Sequence, residues 1–337
     1  MAWYDIPGVE QDVAISTRVR FARNIDGYPF PSRLDAVKAR EMIGKVGQIM
    51  DKNGFQKLDF ADVSRLTAES LVEKRYASPH FVRQSNPHAL FLNEPCNLAV
   101  MVCEEDHLRI QCIQPGLSLQ DALEGADKIE QLLDNAFEIS FDGKLGYLTA
   151  CPTNVGSAMR ASVMLALPVL TDTGRIESMA RSLEGMGLVL RGMFGEGSGA
   201  PCGMYQISNR PTPGVTEEEI LEQLSSAVQR LIDAERNMRE SRYGADPDGL
   251  LDACRRAEGA LRHAHILSAG ELLSLSGRLR AGIALGILPH IRMEALNALL
   301  VKAMPATLTL SADPHPKNDR ERDILRAKMV QEGLFGA

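Results

Sequence analysis

The stretch "LAVMVCEEDHLRIQCI", Leu98 to Ile113, decides the fold. Two apolar runs, "LAVMVC" and "LRIQCI", flank the short acidic turn "EEDH", and strands joined that closely form an antiparallel hairpin. Upstream, "VAISTRVRF" alternates with period two, as a strand with one buried face does. Downstream, "SLQDALEGADKIEQLLDNAF" carries apolar residues at helical spacing after a Ser118 cap, and "RIESMARSLEGMG" predicts a shorter helix ended by Gly187. Between them an apolar approach, "LGYLTA", and an apolar exit, "MLALPVL", enclose "CPTNVGSAMRASV", Cys151 to Val163. Further strands follow in "LVLRGMF" and "MYQISN". From "TEEEILEQLSSAVQRLIDAERNMRESR" the period is helical almost to the end, interrupted by "YGADPDG" and "ADPHPKND". The expected architecture is α+β: an antiparallel sheet with helices over residues 1–243, then a small all-helical domain over 244–337, with the boundary near Gly244.

The composition narrows the function. At 337 residues, 45% hydrophobic and 5% aromatic, the chain can bury one large core or two unequal ones. A formal charge of -7 offers no broad basic surface, which argues against nucleic acid as the main partner. No apolar run approaches the roughly 18 residues a membrane span needs, and "MAWYDIPGVEQD" lacks a signal-peptide pattern, so a cytoplasmic protein with no membrane partner is expected. The six cysteines, Cys96, Cys103, Cys112, Cys151, Cys202 and Cys254, form neither a CxxC pair nor a zinc spacing, as expected of reduced thiols that are mostly core residues. No metal site held by protein ligands is expected.

Arginines supply the functional signal. Arg18 and Arg20 lie two apart in "STRVRFARN", so a strand puts both on one face. Arg109 follows the "EEDH" turn, Arg160 follows the Cys151 loop, and Arg191 precedes "GMFGEGS". A single such arginine reads as a residue on the wet face of a sheet. Desolvating a guanidinium inside an apolar strand, however, calls for an anion to meet it. Each arginine also lies beside a glycine, a small-residue loop or an acidic turn. Together they suit a triphosphate held by forked donors rather than by a GxxxxGK[ST] loop, which the chain lacks.

These blocks carry a resemblance. "STRVRFARN", "EEDHLRIQ", "CPTNVGSAMRASV" and "RGMFGEGS" with "YQISN" resemble, in the same order over roughly residues 13 to 243, the signature blocks of the guanidino (phosphagen) kinase superfamily. That family transfers the γ-phosphoryl of MgATP to a guanidinium on a glutamine-synthetase-like antiparallel sheet flanked by helices. The resemblance implies ATP with Mg2+ held through its phosphates, and a phosphate grip by Arg18, Arg20, Arg109, Arg160 and Arg191. Around them, nucleotide contacts are implied at Ser16, Thr17, Val19, Ala161, Ser162, Val163, Met164 and Gly192. His80, in "SPHFVRQ", reads either as a nucleotide neighbour or as a half-buried structural histidine. A cationic guanidinium is a poor nucleophile and needs carboxylates to orient it and take its proton. The resemblance assigns Glu105 as the base, Glu196 as the second carboxylate, and Cys151 as a thiol beside the substrate whose thiolate nearby arginines favour. Glu104 and Asp106 read as turn residues, Asp106 with a possible hairpin-stabilising role.

Kinases of small free guanidines carry a helical domain before the "STRVR" block, whereas 15 residues precede it here. Met164 stands where those enzymes usually have histidine, and Phe194 where they often have arginine. The whole chain is similar instead to the bacterial protein arginine kinases, including the C-terminal helical part. There "ERDILRAKM" matches their RDxxRA motif through Arg322, Asp323, Arg326 and Ala327. In that group the motif forms an allosteric pocket for phosphoarginine, although an i,i+3 pair of Asp323 and Arg326 also reads as an ordinary helix face. The resemblance implies an allosteric protein-arginine kinase acting on proteins with exposed arginines and marking clients for Clp-type proteolysis in protein quality control. It also implies a zinc-binding activator adaptor, a Clp ATPase or protease as partner, and a homo-oligomer. A free-arginine phosphagen kinase and a catalytically inactive phosphoarginine-binding adaptor remain alternatives, the latter disfavoured by the retained Glu105, Cys151 and Glu196.

Overall fold

The protein is described by a computed structural model over residues 1–193, 203–210 and 214–336. Strand β1 (Ala14–Arg23) is followed by α1 (Ala36–Lys52), β2 (Phe55–Asp59), α2 (Arg65–Glu73), β3 (Ala89–Asn93), β4 (Leu98–Val102) and β5 (Leu108–Pro115). Then come α3 (Leu119–Asp134), the short hairpin β6 (Phe141–Asp142) and β7 (Gly146–Tyr147), β8 (Met159–Ala166), α4 (Pro168–Asp172), α5 (Ile176–Gly185), β9 (Leu188–Gly192) and β10 (Met204–Asn209). The rest is helical: α6 (Glu217–Ala245), α7 (Pro247–His263), α8 (Ala269–Ala284), α9 (Met293–Lys302), α10 (Pro305–Ser311) and α11 (Asp319–Phe335).

Eight strands form one sheet in the order β2-β3-β4-β5-β1-β8-β10-β9, and every neighbouring pair is antiparallel. The hairpin that opened the sequence argument is β4 and β5, paired Leu98 to Cys112 through Val102 to Leu108. The period-two pattern of β1 sends Val19 and Phe21 into a core under α1, α3, α5 and α6, built with Ile110, Ala161 and Val163. Apolar surface removed from water there is the main stabilising term.

Among the described residues, the opposite face is covered only at its two ends. Leu71 of α2, with Tyr76 and Phe81, packs on Leu90, Met101 and Ile113. At the other end Leu273, Leu300 and Met304 from the C-terminal helices pack on Met164 and Met204. The C-terminal helices also have a core of their own, around Cys254, Leu272, Leu296 and Val330. Between the two covered ends lies a polar strip of β5, β1 and β8.

Two helix entries differ in how they are fixed. Asp35 caps α1 by accepting from Val37 N (3.0 Å) and Lys38 N (2.8 Å). Ser118, expected as the side-chain cap of α3, instead donates its hydroxyl to Asp121 (3.0 Å), while its backbone N–H donates to Thr17 Oγ1 (3.1 Å). The anchor of α3 is thus a β1 threonine. Among the described residues no helix is long and apolar enough to cross a membrane.

Candidate active site

The strand register lines the arginines up. Arg20 stands between Gln111 on β5 and Arg160 on β8, and Arg18 stands one row along between Ile113 and Ser162. Arg109 lies a row in the other direction, opposite Ala22. Rows two residues apart are separated by about 7 Å. Ser16 heads the fourth row, which runs through Met164 and Gln206 to Arg191 on β9, with Gly192 opposite Tyr205. The structure therefore brings Arg18, Arg20, Arg109 and Arg160 onto one strip, with Arg191 at its outer edge.

The neighbouring positions divide by the same alternation. Thr17, Val19, Ala161 and Val163, named with the nucleotide block, are fully buried and face the helices; Thr17 donates its hydroxyl to Gly116 O (2.7 Å). Their side chains are turned away from the arginine strip, because residues adjacent to a strip residue in a strand point to the other face. Ser162 shares the arginine face, and Met164 is buried there against Leu300 and Met304. His80 is exposed rather than half-buried, at the rim of a hollow of about 450 Å3 that it shares with Ser78, Glu104, Glu105 and Arg109. Glu196, together with Phe194 and Cys202, lies outside the described residues.

A cavity of about 350 Å3 opens at one end of the strip, with Arg20, Arg109, Arg160, Glu105 and Cys151 in its wall. The acidic turn does more there than reverse the chain. Glu104 is buried and grips Arg109 through both oxygens (2.8 and 2.7 Å), while Ser78 Oγ donates to it at 2.6 Å. Glu105 stays 43% exposed and accepts from Arg109 Nη2 through one oxygen at 3.4 Å. Asp106 is fully buried and accepts from Asn24 Nδ2 and from Ala150 N, both at 2.7 Å. It fixes the backbone immediately before Cys151. The thiol itself is half-buried, 3.0 Å from Thr153 Oγ1.

The loop behind Cys151 is seated by a close backbone approach. Tyr147 N donates to Gly156 O (2.8 Å), and a Cβ on Gly146, whose φ is +80°, would fall 2.5 Å from that same oxygen. Non-glycine residues with positive φ also gather around the strip: Cys103 (62°) before the acidic turn, Ala158 (48°) in the cavity wall and Arg75 (67°) after α2. Such conformations cost free energy and persist where the surroundings fix them, often at functional sites.

Electrostatics follow from the crowding. Burial, and then the Arg75, Arg160 and Arg109 charges, pull Arg18 down to about 9. Burial, and then Arg18, Arg160 and Arg109, pull Arg20 well below the arginine range. Arg20 Nε has no hydrogen-bond partner among the described residues. Arg160 donates to Ser208 Oγ (3.1 Å). A strip of cations resisting its own charge is suited to a polyanion, which would offset repulsion and desolvation together. Sequence reasoning missed Arg75, which burial lowers to about 10 and which lines a small hollow with Arg18. Nothing in "EKRYASPH" marks it, since it sits in a turn with no periodicity. The grips of Glu104 and Asp106 were missed likewise.

The C-terminal motif lies on α11. Arg326 is fully buried, donating to Ala303 O (2.7 Å) and Leu267 O (2.9 Å) and bonded to Asp323; Ala327 is core. Arg322 is more open, 26% exposed, with Asp319 2.8 Å away. Among the described residues no group of three or more His, Cys, Asp or Glu could hold a metal ion.

Comparison with known proteins agrees with this geometry. Residues 38–238 match the family model "ATP:guanido phosphotransferase, C-terminal catalytic domain", and residues 247–336 match "Protein-arginine kinase McsB C-terminal domain". The protein-arginine kinase of Caldanaerobacter subterraneus subsp. tengcongensis is 36% identical over 335 residues, covering 96% of this chain and 98% of that one. The protein-arginine kinase of Clostridium acetobutylicum is 37% identical, covering 98% and 99%. Among solved structures, lombricine kinase superposes with a TM-score of 0.61 at 24% identity over 68% of each chain. The duplicated taurocyamine kinase of Schistosoma mansoni gives 0.61 at 23% identity over 77% of this chain and 38% of its own. The fold is thus that of the guanidino kinases. With both halves matched and the relatives aligned nearly end to end, the chain belongs to the protein-arginine kinase family of ATP:guanido phosphotransferases.

Proposed function

We propose that this enzyme transfers the γ-phosphoryl of ATP to arginine side chains of proteins. The observation that carries the proposal is the strip of Arg18, Arg20 and Arg160 ending in a cavity walled by Arg109, Glu105 and Cys151. The strip fits a nucleotide triphosphate: it offers forked cations, and Arg20 Nε has no hydrogen-bond partner among the described residues. Mg2+ would enter on the phosphates, where it neutralises charge that develops during transfer.

In this reading the arginines align the polyphosphate and Glu105 meets the incoming guanidinium, with Glu196 as its second carboxylate. The substrate nitrogen forms a bond to the γ-phosphorus as the bond from that phosphorus to the ADP oxygen breaks. The proton displaced from the nitrogen passes to Glu105. Glu104 holds Arg109 beside the cavity, and Cys151 borders the substrate. The division into a catalytic domain over 1–243 and a helical domain over 244–337 carrying a phosphoarginine-responsive motif belongs to the same reading. So do a cytoplasmic location, self-association, an activator adaptor and delivery of marked clients to a Clp protease.

The test is incubation of the purified enzyme with MgATP and either casein or free arginine, with acid-labile phosphate mapped by mass spectrometry. Phosphoarginine on casein supports the proposal. Phosphorylation of free arginine alone, or of neither substrate, overturns it.

A further inference from the structure

We propose that Arg75 is a sixth phosphate-binding guanidinium of the nucleotide site, set beside Arg18 at the end of the strip away from the reacting groups. The inference rests on the reading that the arginine strip holds the nucleotide, and deepens it by naming a residue outside the recognised blocks.

The first observation is conformational. Arg75 follows the last turn of α2 with φ of 67°, a region glycine enters freely and an arginine does not. Its flanking carbonyls are pinned. Lys74 O accepts from Trp3 Nε1 (3.3 Å), and Arg75 O and Tyr76 O both accept from the buried amide of Gln111 (3.0 Å each). Gln111 stands opposite Arg20 on β1, so the sheet that presents the arginines also clamps the Arg75 turn. The positive φ belongs to a Schellman cap that closes α2, with Tyr76 N donating to Leu71 O and Arg75 N to Val72 O (2.9 Å each), and the pinned carbonyls give the side chain a fixed starting point beside the strip.

The second observation is where the side chain goes. Arg75 and Arg18 line one small hollow with Ser16, Ser162 and Gln206, and no carboxylate is among its lining residues. The hollow itself, about 10 Å3, has room for no more than a water, so a phosphate would meet the two guanidiniums at its mouth on the open strip rather than inside it. Arg75 also heads the neighbouring charges that oppose ionisation of Arg18, after burial, which fits two cations sharing one anionic partner.

Position decides which phosphate. Arg18 lies one row beyond Arg20 and two rows beyond the row of Arg109, and so away from Glu105 and Cys151. A cation there grips phosphate that stays on the departing nucleotide. ATP and ADP therefore gain equally, and the chemical step gains little.

The experiment uses the full chain. ATP and ADP affinities by calorimetry, and kcat and KM with casein, are compared for wild type, Arg75→Ala, Arg75→Lys and Arg75→Gly, with Arg18→Ala as reference. Arg75→Gly tolerates the positive φ and keeps the test valid if Arg75→Ala folds poorly. Loss of a charge-assisted phosphate contact predicts about tenfold to a hundredfold weaker binding of both nucleotides in the Ala and Gly variants. Partial recovery is expected in Arg75→Lys, with kcat at saturating ATP changed less than about threefold. Unchanged nucleotide affinity in Arg75→Gly alongside a loss in Arg18→Ala overturns the role of Arg75 alone. Unchanged affinity in both overturns the nucleotide reading of the strip with it.

Discussion

Cys151 is half-buried in a cavity wall that also holds Arg20, Arg109 and Arg160, whereas Cys103 and Cys112 are buried and burial pushes each thiol up to about 12. An alkylating reagent needs a thiolate it can reach. Cys151 should be modified well before Cys103 and Cys112, and MgATP with a protein substrate should slow its labelling. The partly exposed Cys96 should label without such protection, which peptide mapping would show; equal protection of both would place Cys151 outside the site. Glu105 allows a second test. Glu105→Gln removes the charge that meets the guanidinium and should slow turnover by about 10² to 10³, or about 2 to 4 kcal/mol of barrier, with thermal stability little changed. Glu105 and Cys151, in a turn and a loop, were legible only through the resemblance of their blocks, whereas Arg18 and Arg20 were legible because a strand's period assigns faces. The same rule puts Arg23, in the same "STRVRFARN" block, on the helix side, where it is bonded to Glu130 and stacked over Tyr147 at 3.5 Å. Arg75 was not legible, because a turn has no period.

At the scale of elements, the site is a hairpin turn and a loop tied together. Asp106, at the tip between β4 and β5, accepts from Asn24 beyond β1 and from Ala150 before the Cys151 loop. The hairpin could be read from two apolar runs and an acidic turn. That its last carboxylate would turn inward and bind a loop 44 residues away could not, since that depends on which strands become neighbours. A buried carboxylate with two donors contributes through both, so Asp106→Ala should cost about 2 to 3 kcal/mol in denaturant unfolding. A purely structural role would stop there. If Asp106 also positions the loop, the folded Asp106→Ala enzyme should alkylate at Cys151 with a changed rate and lose its protection by MgATP and substrate, while Cys96 labels as before.

Across the whole molecule, the C-terminal helices are joined to the arginine face at named contacts. Glu73, two residues before Arg75, accepts from Ala306 N (2.9 Å), Thr307 N (2.7 Å) and Thr307 Oγ1 (2.8 Å) at the start of α10. Just before α10, Ala303 O accepts from Arg326 of the RDxxRA motif. A change at α11 thus has a continuous, hydrogen-bonded route to the turn that carries Arg75. That makes remote control of the site physically reasonable, provided both ends bias one element between two arrangements. The motif's four residues are not equivalent in this respect. Arg326 is fully buried and its donors are met by two carbonyls and Asp323, so it behaves as a core staple. Arg326→Ala should cost about 3 to 5 kcal/mol by leaving two buried carbonyls unpaired, a cavity where the side chain was, and the partly exposed Asp323 without its cation. Loss of regulation in that variant would therefore report unfolding of the helical part rather than loss of a ligand. Arg322 discriminates better, since its side chain is 26% exposed and its ion pair with the 88% exposed Asp319 contributes about 1 kcal/mol or less. Arg322→Ala should melt within a few degrees of wild type and phosphorylate casein at a similar basal rate, yet lack the change in rate on adding free phosphoarginine that the proposed sensing role predicts for wild type. A dose series in both proteins decides the matter: an unaltered response in Arg322→Ala, or no response in wild type, leaves "RDILRA" as a packed helix face with no sensing role.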